Sequence, residues 1–254
     1  MSDINFFTDF AEDDGFDDRL LQLGTSNTEN GYLQNDRALQ YFKKKQSNWN
    51  KILLGIAGAT SLGFAGMPLI ALFGGLGTAL SIELSLPIDR IVKTMEMLLN
   101  EFKEEGITIT PRIKGNDGII DLFVKTADGR YFALMLRSNG DSRIKWRKDR
   151  QQFYTLGRGR NSQWGRLELL GEQLNRIVLS LKKEKHPVVG LTNGERNKAF
   201  TKVVVLTGKT RLDQNNDPDL VVPFGCTTAL RITAKSTYYV INLADLGNFV
   251  KKPI

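Results

Sequence analysis

The chain has one cysteine, Cys226, and one histidine, His186, in 254 residues. An intrachain disulfide is therefore excluded, and so is a cysteine/histidine zinc cluster within one chain. A Ser-His-Asp or Cys-His arrangement would have to use His186, which precedes Pro187 between two expected elements and reads as a loop residue. A metal here would need oxygen ligands, which means Mg²⁺, Mn²⁺ or Ca²⁺. A phosphate-binding loop is also missing. Gly157-Arg158-Gly159-Arg160 lacks the Lys-Ser/Thr that such a loop requires. No internal repeat is present, and the lack of paired cysteines fits a reducing compartment.

Two stretches lack charge of one kind or altogether. No basic residue precedes Arg19, whereas Asp3, Asp9, Glu12, Asp13, Asp14, Asp17 and Asp18 do. Ser, Thr, Asn and Gly follow through Gly31, so residues 1–36 read as an acidic disordered tail. Phe6, Phe7, Phe10 and Phe16 punctuate it, in the manner of a docking motif for a protein partner. An acidic start is not a signal peptide. From Ile52 to Ile82 there is no charge at all. The run exceeds the roughly 20 apolar residues of one span and falls short of two. Gly66-Met67-Pro68 near its middle suits a turn, and its many Gly, Ala and Ser residues suit helix packing in lipid. Lys43-Lys44-Lys45 and Lys51 precede the run, and Arg90 and Lys93 follow it. Basic residues on both flanks predict a hairpin in the cell membrane, with both termini cytoplasmic and basic side chains near lipid.

What is present is ordinary for a folded protein: 41% hydrophobic residues, with a formal charge of +7. The basic balance favours an anionic partner. A helix is expected over Asp36–Lys51, capped by Asp36. An amphipathic helix is expected over Ile88–Glu105, with Gly106 as its C-cap. Ile107–Ile113 alternates as a strand, and Pro111 places it at a sheet edge. Lys114–Gly118 reads as a loop. Leu167–Lys185 is a second amphipathic helix. Strands are expected at Lys202–Thr207, Leu220–Val222 and Thr237–Asn242, with a polar loop over Leu212–Pro218. Asn242 is expected to cap a closing helix, Leu243–Lys251. Three segments result: a tail, 1–36; a basic-flanked helix and hairpin, 37–87; and an α/β domain, 88–254.

The centre of that domain is Ile119–Ser138. Two strands flank Ala127-Asp128-Gly129, and Asp-Gly is a common hairpin pair. Side chains alternate faces along a strand, which predicts that Asp121 looks across at Met135 and Arg137. An Asp, a hairpin, then position 135, any residue and position 137 resembles the PD-(D/E)xK nuclease superfamily, and within it the nuclease-related domain (NERD) group. The order helix, strand, hairpin, basic segment, helix, strand, strand, helix resembles its restriction-endonuclease-like core, an α/β sheet flanked by helices. The resemblance implies that Asp121 stands at the family Asp, Met135 at the family Glu and Arg137 at the family Lys. It also implies a Mg²⁺-dependent phosphodiester hydrolase if the site is active. Met135 offers a soft thioether where Mg²⁺ wants oxygen, and Arg137 stays protonated. Arg137 still suits a phosphate oxygen. Asp117 before the Asp121 strand, and Glu168 and Glu172 on the following helix, are the acids that would replace the missing ligand.

After Ser138 the chain turns basic, with Arg143, Lys145, Arg147, Lys148, Arg150, Arg158, Arg160 and Arg166 interleaved with Trp146, Phe153, Tyr154 and Trp164. Cations neutralise phosphates and rings stack on unpaired bases, so this segment is expected to bind nucleic acid. Three functions follow: a membrane-anchored, nuclease-related binding module with impaired catalysis; an active nuclease with a relocated acid; or a membrane scaffold for a protein partner.

Overall fold

The structure is a computed structural model. It describes residues 32–63, 87–147, 152–156, 162–163, 167–190, 192–213, 216–224, 227–233 and 236–252. The fold is α/β, built on a large mixed sheet flanked by helices.

Helix α1 spans Asn35–Gly63 and helix α2 runs over 87–101. The strands are β1 (Ile107–Gly115), β2 (Gly118–Thr126), β3 (Tyr131–Arg137), β4 (Arg143–Arg147), β5 (Gln152–Leu156) and β6 (Ser162–Gln163). Helix α3 (Leu167–Lys183) and the short α4 (Asn193–Asn197) follow. Then come β7 (Phe200–Leu206), β8 (Arg211–Leu212), β9 (Val221–Phe224), β10 (Thr227–Thr233), β11 (Thr237–Asn242) and α5 (Leu246–Lys251). The large sheet has the order β1-β2-β3-β7-β11-β10-β9, and a second sheet has the order β6-β5-β4-β8. β1, β2 and β3 form an antiparallel meander, and α3 lies on the crossover from β3 to its parallel neighbour β7.

Alternation along the central strands sorts side chains into layers. Leu134, Leu136, Val203, Val205 and Ile241 face a core shared with α1, α2 and α5. Tyr131, Ala133 and Met135 face the other way, towards Leu174, Ile177 and Leu181 of α3. Farther along that second face, Val204, Leu206, Leu230, Ile232 and Val240 pack against Ile144, Trp146 and Phe153 of the small sheet. The large sheet is thus covered on both faces, by helices on one and by α3 beside the small sheet on the other. Both faces of β7 are in core clusters along its apolar stretch Val203–Leu206, as such a run predicts for a central strand.

The expected hairpin is present, with Gly129 at φ +80 in its turn. Gly106 ends the α2 segment at φ +77 and donates its N–H to Phe102 O. β1 is an edge strand, as Pro111 indicates, and its outer edge is covered by a side chain. Asn35 Nδ2 donates to Ile107 O at 2.8 Å, and Ile109 N–H donates to Asn35 Oδ1 at 2.7 Å.

Several boundaries differ from expectation. Lys114–Gly118 is a tight hairpin turn, because Gly115 pairs with Gly118. The basic segment contains strands β4 to β6, and β10 lies where no strand was expected. Asn242 does not cap the closing helix through its side chain: its Oδ1 accepts from Leu212 N and its Nδ2 donates to Asp245. Helix α1 runs past Lys51 to Gly63. The pairs Lys43–Glu96 and Gln46–Asp89 run in opposite sequence directions, so α1 and α2 are antiparallel. The expected membrane turn at Gly66-Met67-Pro68, the second hairpin arm and tail residues 1–31 lie outside the described residues. Among the described residues, no helix is long and apolar enough to cross a membrane.

Candidate functional site

Asp121 lies where β2 leaves β3. The ladder between these strands ends at Leu122 opposite Leu134. Beyond that point Asp121 Oδ2 accepts the Leu136 N–H at 2.7 Å and pairs with Arg137 Nη1 at 2.8 Å. The carboxylate stands in for a strand carbonyl and neutralises the neighbouring guanidinium at the same time. Arg137 Nη1 also donates to its own neighbour, Leu136 O. The sequence expectation that Asp121 meets Arg137 across the hairpin is met.

The expectation that Asp121 and Met135 share a pocket is corrected. Strict alternation fails at Asp121, because Ile120 and Phe123 belong to the α3 layer while Leu122 and Val124 belong to the α2 layer. The same break occurs on β1, where Ile109 and Ile113 fall in opposite layers and Arg112 between them has φ +51. A period-two count cannot be carried across such a break. Met135 is 0% exposed in the apolar layer under α3, so its sulfur borders no open site.

Arg90 of α2 also belongs to this locality and was not expected as a site residue. Its guanidinium is held below its usual range, first by burial and then by the Arg137 charge, with Asp121 and Asp89 opposing. Two guanidiniums and two carboxylates, Arg90 and Arg137 with Asp121 and Asp89, therefore act on one another at this end of the sheet. Among the described residues, no group of three or more His, Cys, Asp or Glu side chains is placed to hold a metal. Mg²⁺, implied by the resemblance, does not fit the donors here: Asp121 Oδ2 is bound to Leu136 N and Arg137, and Met135 is sealed in the core. Of the three candidate replacement acids, Asp117 is exposed in the β1–β2 turn, Glu172 is half-buried on α3, and the Glu168 side chain lies outside the described residues.

The basic segment sorts by the pleat of β4. Arg143 and Arg147 are exposed and Lys145 is half-buried, while Ile144 and Trp146 point into the core. Tyr154 lies opposite Lys145, and Arg211 of β8 lies beside Arg143. The Arg147 guanidinium sits 5.2 Å from the Tyr154 ring centre. One face of the small sheet is therefore cationic, with a half-buried tyrosine. The expected stacking role of Trp146 is corrected: it is 7% exposed and packs edge-on against Phe153 at 4.6 Å. Arg211 was missed because a two-residue strand far along the chain from β4 leaves no periodic signal. Lys148, Arg150, Arg158 and Arg160 lie outside the described residues.

Compared with known proteins, the chain matches no protein-family model, no curated protein and no solved structure.

Proposed function

We propose that residues 88–254 form a nuclease-related module of the restriction-endonuclease-like kind that binds nucleic acid and has lost phosphodiester hydrolysis, held at a membrane by residues 37–87. The observation that carries the binding is the face of β4. Alternation turns Arg143, Lys145 and Arg147 to one side and the apolar residues to the other. Three cations at two-residue spacing repeat about every 6.6 Å, near the spacing of successive phosphates along an extended strand, and Arg211 widens the face.

The fold part of the proposal is supported by the order helix, three antiparallel strands, crossover helix and parallel strand. Loss of hydrolysis is supported by what Asp121 does. Its Oδ2 completes the β2–β3 junction and pairs with Arg137, and Met135 at the family Glu position is a core residue. Membrane attachment is supported by the uncharged run Ile52–Ile82, which begins within α1 and ends shortly before α2, and by the antiparallel pairing of those two helices.

The test is binding of the full chain to a fluorescent oligonucleotide across a salt series. Binding should weaken steeply with salt, with a slope of about −0.9 per neutralised phosphate on duplex DNA. Replacing Arg143, Lys145 and Arg147 together with Ala should lower both affinity and slope. Binding to anionic vesicles but to no oligonucleotide at low salt would overturn the nucleic-acid reading. Mg²⁺-dependent cleavage abolished by Asp121→Ala would overturn the loss of hydrolysis.

A further inference from the structure

A second cationic surface lies at the end of the large sheet away from Arg137. Thr108, Lys125, Tyr131 and Phe200 stand opposite one another across β1, β2, β3 and β7. At about 4.8 Å between strands this row spans roughly 14 Å. Tyr131 stacks on Phe200 at 5.2 Å and on Phe123 at 5.8 Å. Three ammonium groups gather on these rings. Lys182 Nζ lies 4.6 Å from the Phe200 ring centre, and Lys198 and Lys125 lie 5.5 and 5.7 Å from that of Tyr131. Lys202, two residues along β7 from Phe200, donates to Asn175 at 2.8 Å. Glu195 approaches Lys125 at 3.8 Å. Burial holds Lys182 and Lys202 below the usual lysine range, and the Lys182 charge lowers Lys202 further. Like charges drawn together and partly dried favour the arrival of an anion.

The first described residues of the chain are anchored at this end of the sheet. Asn35 is fastened to the β1 edge at Ile107 and Ile109, beside the row. Tyr32 is hydrogen-bonded to His186, four residues beyond Lys182. The residues before Tyr32 hold carboxylates from Asp3 to Asp18 with no basic residue among them until Arg19. The 14 residues from Asp18 to Tyr32 span up to about 50 Å when extended, ample to cross the row. Tethering sets an effective concentration of order millimolar, so charge pairing with a dissociation constant below about that value fills most of the surface.

We propose that the lysine surface formed by Lys125, Lys182, Lys198 and Lys202 is the docking site for this chain's own acidic segment, residues 3–18. The inference does not depend on the nucleic-acid face of β4. A docked tail covers the lysines at low ionic strength and leaves at high ionic strength, because paired surface charges are screened.

The experiment compares the full chain with a full-length variant carrying Asp→Asn and Glu→Gln at 9, 12, 13, 14, 17 and 18. Both are treated with a trace amine-acylating reagent after nuclease digestion, and lysine modification rates are read by peptide mass spectrometry. At low salt, Lys182, Lys198 and Lys125 should react at least about threefold more slowly in the wild-type chain, which corresponds to a surface two-thirds filled. Lys103 and Lys209 should react alike in both proteins, and the difference should vanish in high salt. Equal rates at the surface lysines at low salt overturn the proposal. Protection that disappears on dilution overturns it too, by giving the surface to the tail of a second copy. Protection that persists in the charge-neutralised variant assigns the surface to some other anion.

Discussion

The two sheets obey the same alternation but spend it differently. In the large sheet both faces of β3 and β7 are covered along Tyr131–Leu136 and Val203–Leu206, and every side chain there is apolar and buried. In the small sheet only one face is covered, and the other carries Arg143, Lys145 and Arg147. The large sheet positions; the small one presents. They are joined through β7, whose Val204 and Leu206 pack against the small sheet while Val203 and Val205 pack on the helices.

That shared strand predicts one cooperative unit. Phe132 and Phe153 are each 0% exposed, one in each layer. Phe132→Ala and Phe153→Ala should each cost about 3–5 kcal/mol, the usual range for emptying a buried phenylalanine site. Denaturation followed by fluorescence and by circular dichroism should show both substitutions moving the same single transition. If Phe153→Ala split the transition in two, the small sheet would be an independently melting appendage.

A smaller effect is expected at Asp121. If its carboxylate serves the β2–β3 junction, Asp121→Ala should destabilise by about 2–3 kcal/mol, since the Leu136 N–H and Arg137 lose a charged acceptor together. Asp121→Asn keeps an acceptor and should cost less. A more stable Asp121→Ala protein would mean the opposite, a carboxylate held at some expense for chemistry, as happens at active sites.

The contrast between the sheets also explains what the sequence disclosed. Amphipathic α2 and α3, the Asp-Gly hairpin, the apolar β7 and the Asp121–Arg137 meeting were all legible, because each is local or follows one period. The break at Arg112 and Asp121 was not legible, since a positive φ at an arginine has no sequence signature, and neither was the complete burial of Met135 under α3. The small sheet was hidden for a different reason. Its strands are short and their exposed faces are cationic, so the segment reads as a basic loop, and only the pleat reveals that Trp146 is core while its neighbours are surface. Arg90 was visible only as a membrane flank. What it stands beside depends on how α2 crosses the sheet.

Acid should act at the Tyr32–His186 contact. Burial lowers the His186 pKa, with Glu184 opposing. Val188 N–H donates to Nδ1, so the neutral ring carries its proton on Nε2, facing the Tyr32 hydroxyl. The folded state therefore prefers neutral imidazole. Its contribution is fully present above the unfolded value near 6.5 and is lost as the pH falls from there through the lower folded value. His186→Gln should flatten the stability profile in that window. An unchanged profile would show that this contact does not govern the acid limb.

The smallest stability change is expected at the face proposed to do the binding. Arg143 and Arg147 are exposed, and Arg147 lies over the Tyr154 ring, an interaction worth about 0.5–1 kcal/mol at such a site. Arg143→Ala and Lys145→Ala should each stay within about 0.5 kcal/mol of the parent, and Arg147→Ala within about 1 kcal/mol. The same three changes should weaken oligonucleotide binding, reducing its salt slope by about 0.9 for each phosphate no longer neutralised. Stability and binding would then separate: core substitutions such as Phe132→Ala cost folding, and these cost only the ligand. If the triple variant instead unfolded as readily as Phe153→Ala, the cations would be holding the small sheet together. The cationic face would then be structural, and the phosphate-binding groups would have to be sought elsewhere, first at Arg137 and the neighbouring Arg90.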